Sequence, residues 1–177
     1  MKLEVWIGNL AKMNTGEHVG EWVTLPISPD EQEALFIRLG LGYYDSNDNF
    51  IVPGDYIIAD YKADFDAYKA FGSYPSLDEL NFAAEKLVEW ELDQFLAANE
   101  LMPDVDDLLK TDPTENWYFR EDVKTPEELG YMDLIDHGVI IPEELEGYFD
   151  YQAYGEDLEY EPDAMLTKHG YIRYYSN

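Results

Sequence analysis

Leu3-Glu4-Val5-Trp6-Ile7-Gly8-Asn9 alternates apolar and polar side chains, the period-two pattern of a half-buried strand. A second such run, Gly20-Glu21-Trp22-Val23-Thr24-Leu25-Pro26, follows across a turn containing Asn14 and Gly16. Ser28-Pro29-Asp30-Glu31 then reads as a helix start. Serine caps, proline takes the first helical position, and Glu31 completes a capping box. That helix is expected to run to about Leu39 and stop at Gly40. Tyr56-Ile57-Ile58-Ala59-Asp60-Tyr61 is a third strand, so residues 1–61 read as a small sheet with one helix.

The pattern changes beyond residue 61. Ser76-Leu77-Asp78-Glu79 is another capping box, with Leu77, Leu80, Ala84, Leu87 and Val88 at helical spacing. The helix continues or breaks near Trp90, and Leu92, Phe95 and Leu96 extend an apolar face to about Leu101. Pro103 and Asp104 start a short helix to Lys110. Trp117-Tyr118-Phe119-Arg120 reads as a strand, and Thr125-Pro126-Glu127-Glu128 as a third capping box leading a helix to about Asp136. Pro142-Glu143-Glu144-Leu145 starts a further helical turn, and residues 148–158 continue as helix or extended turn. Residues 164–168 and 171–175 form a terminal hairpin through His169-Gly170. The expectation is an α+β protein of three modules in series: 1–61, a helical middle at 62–110, and a mixed module at 111–177.

The chain of 177 residues carries 39 acids against 11 lysines and arginines, a formal net charge of -28. Disordered acidic chains are poor in aromatics; with 15% aromatic residues this chain is expected to fold. The acids are spread throughout, leaving -7, -8 and -13 on residues 1–60, 61–110 and 111–177. Direct binding to nucleic acid or anionic membrane is disfavoured, because both carry the same sign. No apolar run reaches the roughly 20 residues that span a bilayer, and Met1–Trp6 lacks the apolar core of a secretion signal. Cysteine is absent, which excludes disulfides, thiolate metal sites and a cysteine nucleophile; the expected location is the cytoplasm.

Catalytic patterns are also missing. His18, His137 and His169 are scattered beside glycines, without the spacing of a zinc site. Asp45-Ser46-Asn47-Asp48-Asn49 has the polarity of a calcium loop, but Phe50 stands where glycine is required. Single glycines make no phosphate cradle, and Ser28 and Ser76 are expected as helix caps. No metal, cofactor or catalytic residue is expected, although a carboxylate-pair enzyme such as a glycosidase would need only two acids across a cleft.

Two segments carry a resemblance. Val5-Trp6-Ile7-Gly8-Asn9-Leu10-Ala11-Lys12 followed by Gly20-Glu21-Trp22-Val23-Thr24-Leu25-Pro26-Ile27 resembles the start of the ArdA antirestriction family. Tyr148-Phe149-Asp150-Tyr151-Gln152-Ala153-Tyr154-Gly155-Glu156-Asp157-Leu158 resembles that family's antirestriction motif, and His169-Gly170 its C-terminal turn. The resemblance implies an elongated three-module DNA mimic, encoded on a mobile element, that occupies the DNA-binding groove of type I restriction–modification enzymes. It also implies a homodimer joined through the C-terminal module. Acids at helical i and i+4 rise by about 6 Å, comparable to two base-pair steps of about 3.4 Å. The expected mimic surface is therefore Asp106, Asp107, Asp112, Glu115, Glu127, Glu128, Asp133, Glu143, Glu144 and Glu146. Tyr148, Phe149, Tyr151 and Tyr154 are expected in the core or a dimer contact, and crowded carboxylates are expected to have raised pKa values. The alternative target is another DNA-binding protein, such as a nucleoid protein or repressor.

Overall fold

The computed structural model describes residues 1–72, 75–159 and 161–176. Its three small sheets and nine helices, among the described residues, make an α+β fold. The chain divides into two compact units, Met1–Glu89 and Trp90–Asn177. The boundary falls within residues 62–110, so the helices of that stretch are divided between the units.

The first unit comprises β1 (Leu3–Asn9), α1 (Leu10–Asn14), β2 (Gly20–Leu25), α2 (Pro29–Arg38), β3 (Tyr43–Tyr44), β4 (Phe50–Ile51), β5 (Tyr56–Ala63), α3 (Ala67–Phe71) and α4 (Leu77–Leu87). Its main sheet has the antiparallel order β2-β1-β5, with Val5 opposite both Val23 and Tyr61. Alternation places Leu3, Val5 and Ile7 in the core with Leu35, Leu41, Leu77, Leu80 and Leu87, all fully buried. On the other face the Trp6 ring lies over Gly8 and Gly20, leaving no room for a Cβ at either. Both helix starts form as read. Glu31 and Glu79 each receive the backbone N–H of their cap serine, at 2.8 and 2.6 Å.

Four elements of this unit lie outside the sequence expectation. The short helix α1 begins where Asn9 accepts the Lys12 N–H at 3.1 Å and donates to the Leu39 carbonyl at 3.0 Å, so a buried side chain ends the strand and anchors α2. Helix α3 has only five residues. Strands β3 and β4 are two residues each and meet through the Asp45–Asn49 tip. There the Asp45 carboxylate accepts the Asn47 and Asn49 N–H groups at 2.8 and 2.9 Å, so its own turn engages it.

The second unit comprises α5 (Leu92–Leu101), α6 (Val105–Leu108), β6 (Trp117–Arg120), α7 (Pro126–Asp136), α8 (Glu143–Glu146), α9 (Tyr151–Leu158), β7 (Ala164–Thr167) and β8 (Gly170–Tyr174). The terminal hairpin pairs Thr167 with Gly170, and β6 adds to its far side to give the order β6-β8-β7. Helix α5 packs on the hairpin and buries Phe95 against Trp90, with ring centres 6.0 Å apart; Trp117 lies 5.9 Å from Trp90. Burial of Trp90 and an extended Glu91 separate α4 from α5, so the helical stretch breaks there.

Candidate protein-interaction surface

The resembling motif lies on α9, which packs against α7. Thr125 starts α7: its hydroxyl accepts the Glu128 N–H at 3.3 Å, and the Glu128 carboxylate takes the Lys124 and Thr125 N–H groups at 2.8 and 3.0 Å. Asp150 starts α9 by accepting the Ala153 N–H at 3.0 Å. Between the helices sit two buried glycines. A Cβ on Gly155 would overlap the Pro126 carbonyl and lie 3.0 Å from the Gly130 nitrogen; one on Gly130 would overlap the Tyr151 carbonyl. The backbones therefore touch, with Gly130 facing Tyr151 and Gly155 facing Pro126, so the helices run antiparallel. A helical glycine costs about 1 kcal/mol relative to alanine, and the close approach is what these two permit.

Side chains fix this crossing. The Tyr154 hydroxyl donates to Asp133 at 2.7 Å, which raises the phenol's pKa, with partial desolvation adding to the shift. Phe149 contacts the rings of Tyr151 and Tyr154 at 4.8 and 5.9 Å, and Tyr131 contacts Tyr151 at 5.6 Å. Leu158 packs on the buried cluster of Val123, Leu129, Met132, Ala164 and Tyr171. Burial pushes the Tyr171 phenol up to about 12. Phe149, Tyr151 and Tyr154 are half-buried within the helix pair, whereas Tyr148 is 87% exposed. Gln152 donates to Glu156 at 2.9 Å on the outer face of α9, and Ala153 and Asp157 are exposed.

The ten acids of the expected mimic surface separate by environment. Asp106, Glu115, Glu127, Glu143, Glu144 and Glu146 are exposed, and Asp106 is one of the acids whose charge raises the Lys110 ammonium's pKa, after the hydrogen-bonded Asp107. Asp107 pairs with Lys110 at 2.8 Å. Asp112 is exposed but accepts the Thr114 and Glu115 N–H groups at 2.8 and 3.0 Å. Glu128 caps α7, as above. Asp133 differs most: its side chain is 15% exposed, accepts from Tyr154 and lies 3.3 Å from His137. Gly130 escaped the sequence reading. Its signal was a lone glycine inside a predicted helix, which marks a close packing contact.

Beside the helix pair runs an apolar groove of about 230 Å³, lined by Tyr131, Leu134, Ile135, Val139, Ile140, Ile141, Glu146 and Tyr151. Tyr131, Ile135, Val139, Ile140, Leu145 and Tyr148 are all large, apolar and exposed within 18 consecutive residues, 131–148. Acids border them in sequence at Asp136, Glu143, Glu144 and Glu146.

Six carboxylates are shifted in the direction opposite to the one crowding predicts. Glu31, Glu79 and Glu128 are held below the ordinary carboxylate range by backbone N–H groups at their helix starts. Two Asn49 and Asn47 N–H groups lower Asp45, the Lys2 ammonium lowers Glu4, and the Arg120 guanidinium lowers Asp122. Donors at hydrogen-bonding distance outweigh like charges that solvent screens. His169 is half-buried and lies 2.8 Å from Asp93, a partner that its place in a hairpin turn did not suggest. Among the described residues no group of three or more His, Asp or Glu is placed to hold a metal ion, and no helix is long and apolar enough to cross a membrane.

Fold and surface define an acidic α+β protein whose convergent features are an exposed apolar strip and a carboxylate-rich border. The chain belongs to the ArdA family: the family model described as antirestriction protein (ArdA) matches residues 5–173. Membership implies an antirestriction function and suggests a restriction enzyme as the partner. No curated protein matches the chain.

Proposed function

We propose that the protein is an acidic mimic of duplex DNA that occupies the DNA-binding groove of a type I restriction–modification enzyme, protecting incoming mobile-element DNA in the cytoplasm. The observation that carries this reading is the set of exposed acids at Asp106, Glu115, Glu127, Glu143, Glu144 and Glu146, set in a chain of net charge -28. Duplex DNA carries one charge per about 1.7 Å, so this charge corresponds to about 48 Å of duplex. The apolar strip at residues 131–148 supports a homodimer through the C-terminal module, since burying these side chains against a second copy would remove a large apolar surface from water.

Mimicry of this kind releases counterions from a basic groove, so binding weakens as salt rises. The test titrates the protein into a type I enzyme bound to labelled duplex carrying its recognition site, at two salt concentrations. Displacement near stoichiometry that weakens with salt is expected. Absence of displacement at large excess refutes the reading.

A further inference from the structure

We propose that Asp133, Tyr154 and the Gly130–Gly155 crossing are positioning elements: they set the register of α7 against α9, and the motif serves mimicry through this register rather than by touching the enzyme. The inference rests on the mimic reading and assigns roles within that surface. Asp133 is formally one more carboxylate on an acidic helix, but its environment separates it from the others. Glu127 projects into solvent, whereas Asp133 is 15% exposed and receives a hydroxyl at 2.7 Å. A carboxylate engaged in this way is poorly placed to stand in for a solvent-facing phosphate.

The geometry explains why a register lock is needed. Backbone contact at Gly130 and Gly155 brings the two helices close, and the side chains around the crossing decide the setting of one against the other. The Tyr154–Asp133 bond lies outside the glycine contact and selects one setting. Register decides what surrounds Tyr131 and Ile135 of α7, because Tyr151 of α9 stacks on Tyr131 and lines the same groove. It also decides where Glu127 sits relative to Tyr148, Asp150 and Gln152, which share a surface depression with it.

Charge and hydrogen bonding can be separated at one atom. Asp133→Asn removes the charge but retains an oxygen that accepts from Tyr154, whereas Tyr154→Phe retains the charge and removes the donor. Both variants, with Glu127→Gln and wild type, are measured by DNA displacement from the type I enzyme and by melting temperature. Hydrogen exchange of the α7 and α9 amides reports the packing of the pair. The expected outcome is Asp133→Asn within about twofold of wild type. Tyr154→Phe is expected to lose roughly fivefold, the scale of one hydrogen bond, with faster exchange in α7 and α9. The double variant is expected to lose no more than Tyr154→Phe alone. The inference is overturned if Asp133→Asn loses as much displacement as Glu127→Gln while Tyr154→Phe behaves as wild type. If wild type itself displaces nothing, the mimic reading fails first and takes the inference with it. Gly155→Ala adds a second arm, and the two polar variants decide the matter even if it does not fold.

Discussion

The two units are nearly equal in length, yet they use their residues differently. Met1–Glu89 holds 16 acids and 6 lysines and arginines, a net of -10; Trp90–Asn177 holds 23 and 5, a net of -18. In the first, strand alternation and two boxed helices bury an aliphatic core, and its exposed large apolar side chains are scattered from Trp22 to Val88. In the second, six such side chains fall between Tyr131 and Tyr148, beside helices whose backbones touch at two glycines. The first unit thus resembles a scaffold, and the second combines most of the charge with the exposed apolar strip. Surface that is costly for folding is concentrated where the partner contact is proposed.

The largest expected effects test whether each unit stands on its own core. Leu35→Ala in the first unit and Phe95→Ala in the second remove fully buried side chains. Each is expected to cost about 2–5 kcal/mol in urea unfolding. Hydrogen exchange should show protection lost mainly in the unit that carries the substitution. Equal loss in both units for either variant would break the comparison. Next comes Gly155→Ala, where the new methyl meets the Pro126 backbone rather than a flexible side chain. Overpacking of this kind costs about 1–3 kcal/mol, and hydrogen exchange at α7 and α9 should rise most.

These substitutions also show which features could be read from the sequence. The three capping boxes located α2, α4 and α7 because each cap is a local contract between residues three apart. Elements that depend on a partner were not visible. Asn9 caps α1 while reaching Leu39, thirty residues away, and the two-residue strands β3 and β4 exist because each offers the other an edge. At the candidate site the acids of the expected mimic surface were legible as residue types but not as roles. Sequence alone cannot separate Asp133, engaged by Tyr154, from Glu127, which is open to solvent. The apolar strip was also hidden, since α7 carries Leu129, Met132 and Leu134 inward and Tyr131 and Ile135 outward, so its helical pattern is apolar on two faces.

A smaller effect concerns pH. Glu31, Glu79 and Glu128 have folded-state pKa values below their ordinary value of 4.5. A depressed carboxylate contributes stability that is complete above the unfolded value and is lost as pH falls through the folded one. The melting temperature should therefore fall on acidification below about 4.5. Replacing these glutamates by glutamine should flatten that fall. Two of the three caps belong to the first unit, so the flattening should be larger for Glu31→Gln with Glu79→Gln than for Glu128→Gln. A melting temperature that instead climbs as pH drops from 7 to about 5 would show that repulsion among the acids dominates.

The smallest expected effect contrasts two glycines of the same unit. Gly147 follows α8 with φ -73 and ψ -4, an ordinary right-handed conformation, and an added Cβ there meets nothing within 4 Å. Gly155, eight residues on, has no space for one. Gly147→Ala removes backbone freedom from the unfolded chain without strain in the folded one, so it should stabilise the protein by about 0.4–1 kcal/mol. Urea unfolding of the two alanine variants should therefore give shifts of opposite sign. If both destabilise, Gly147 carries a folding constraint of its own and the contrast between the two glycines is broken.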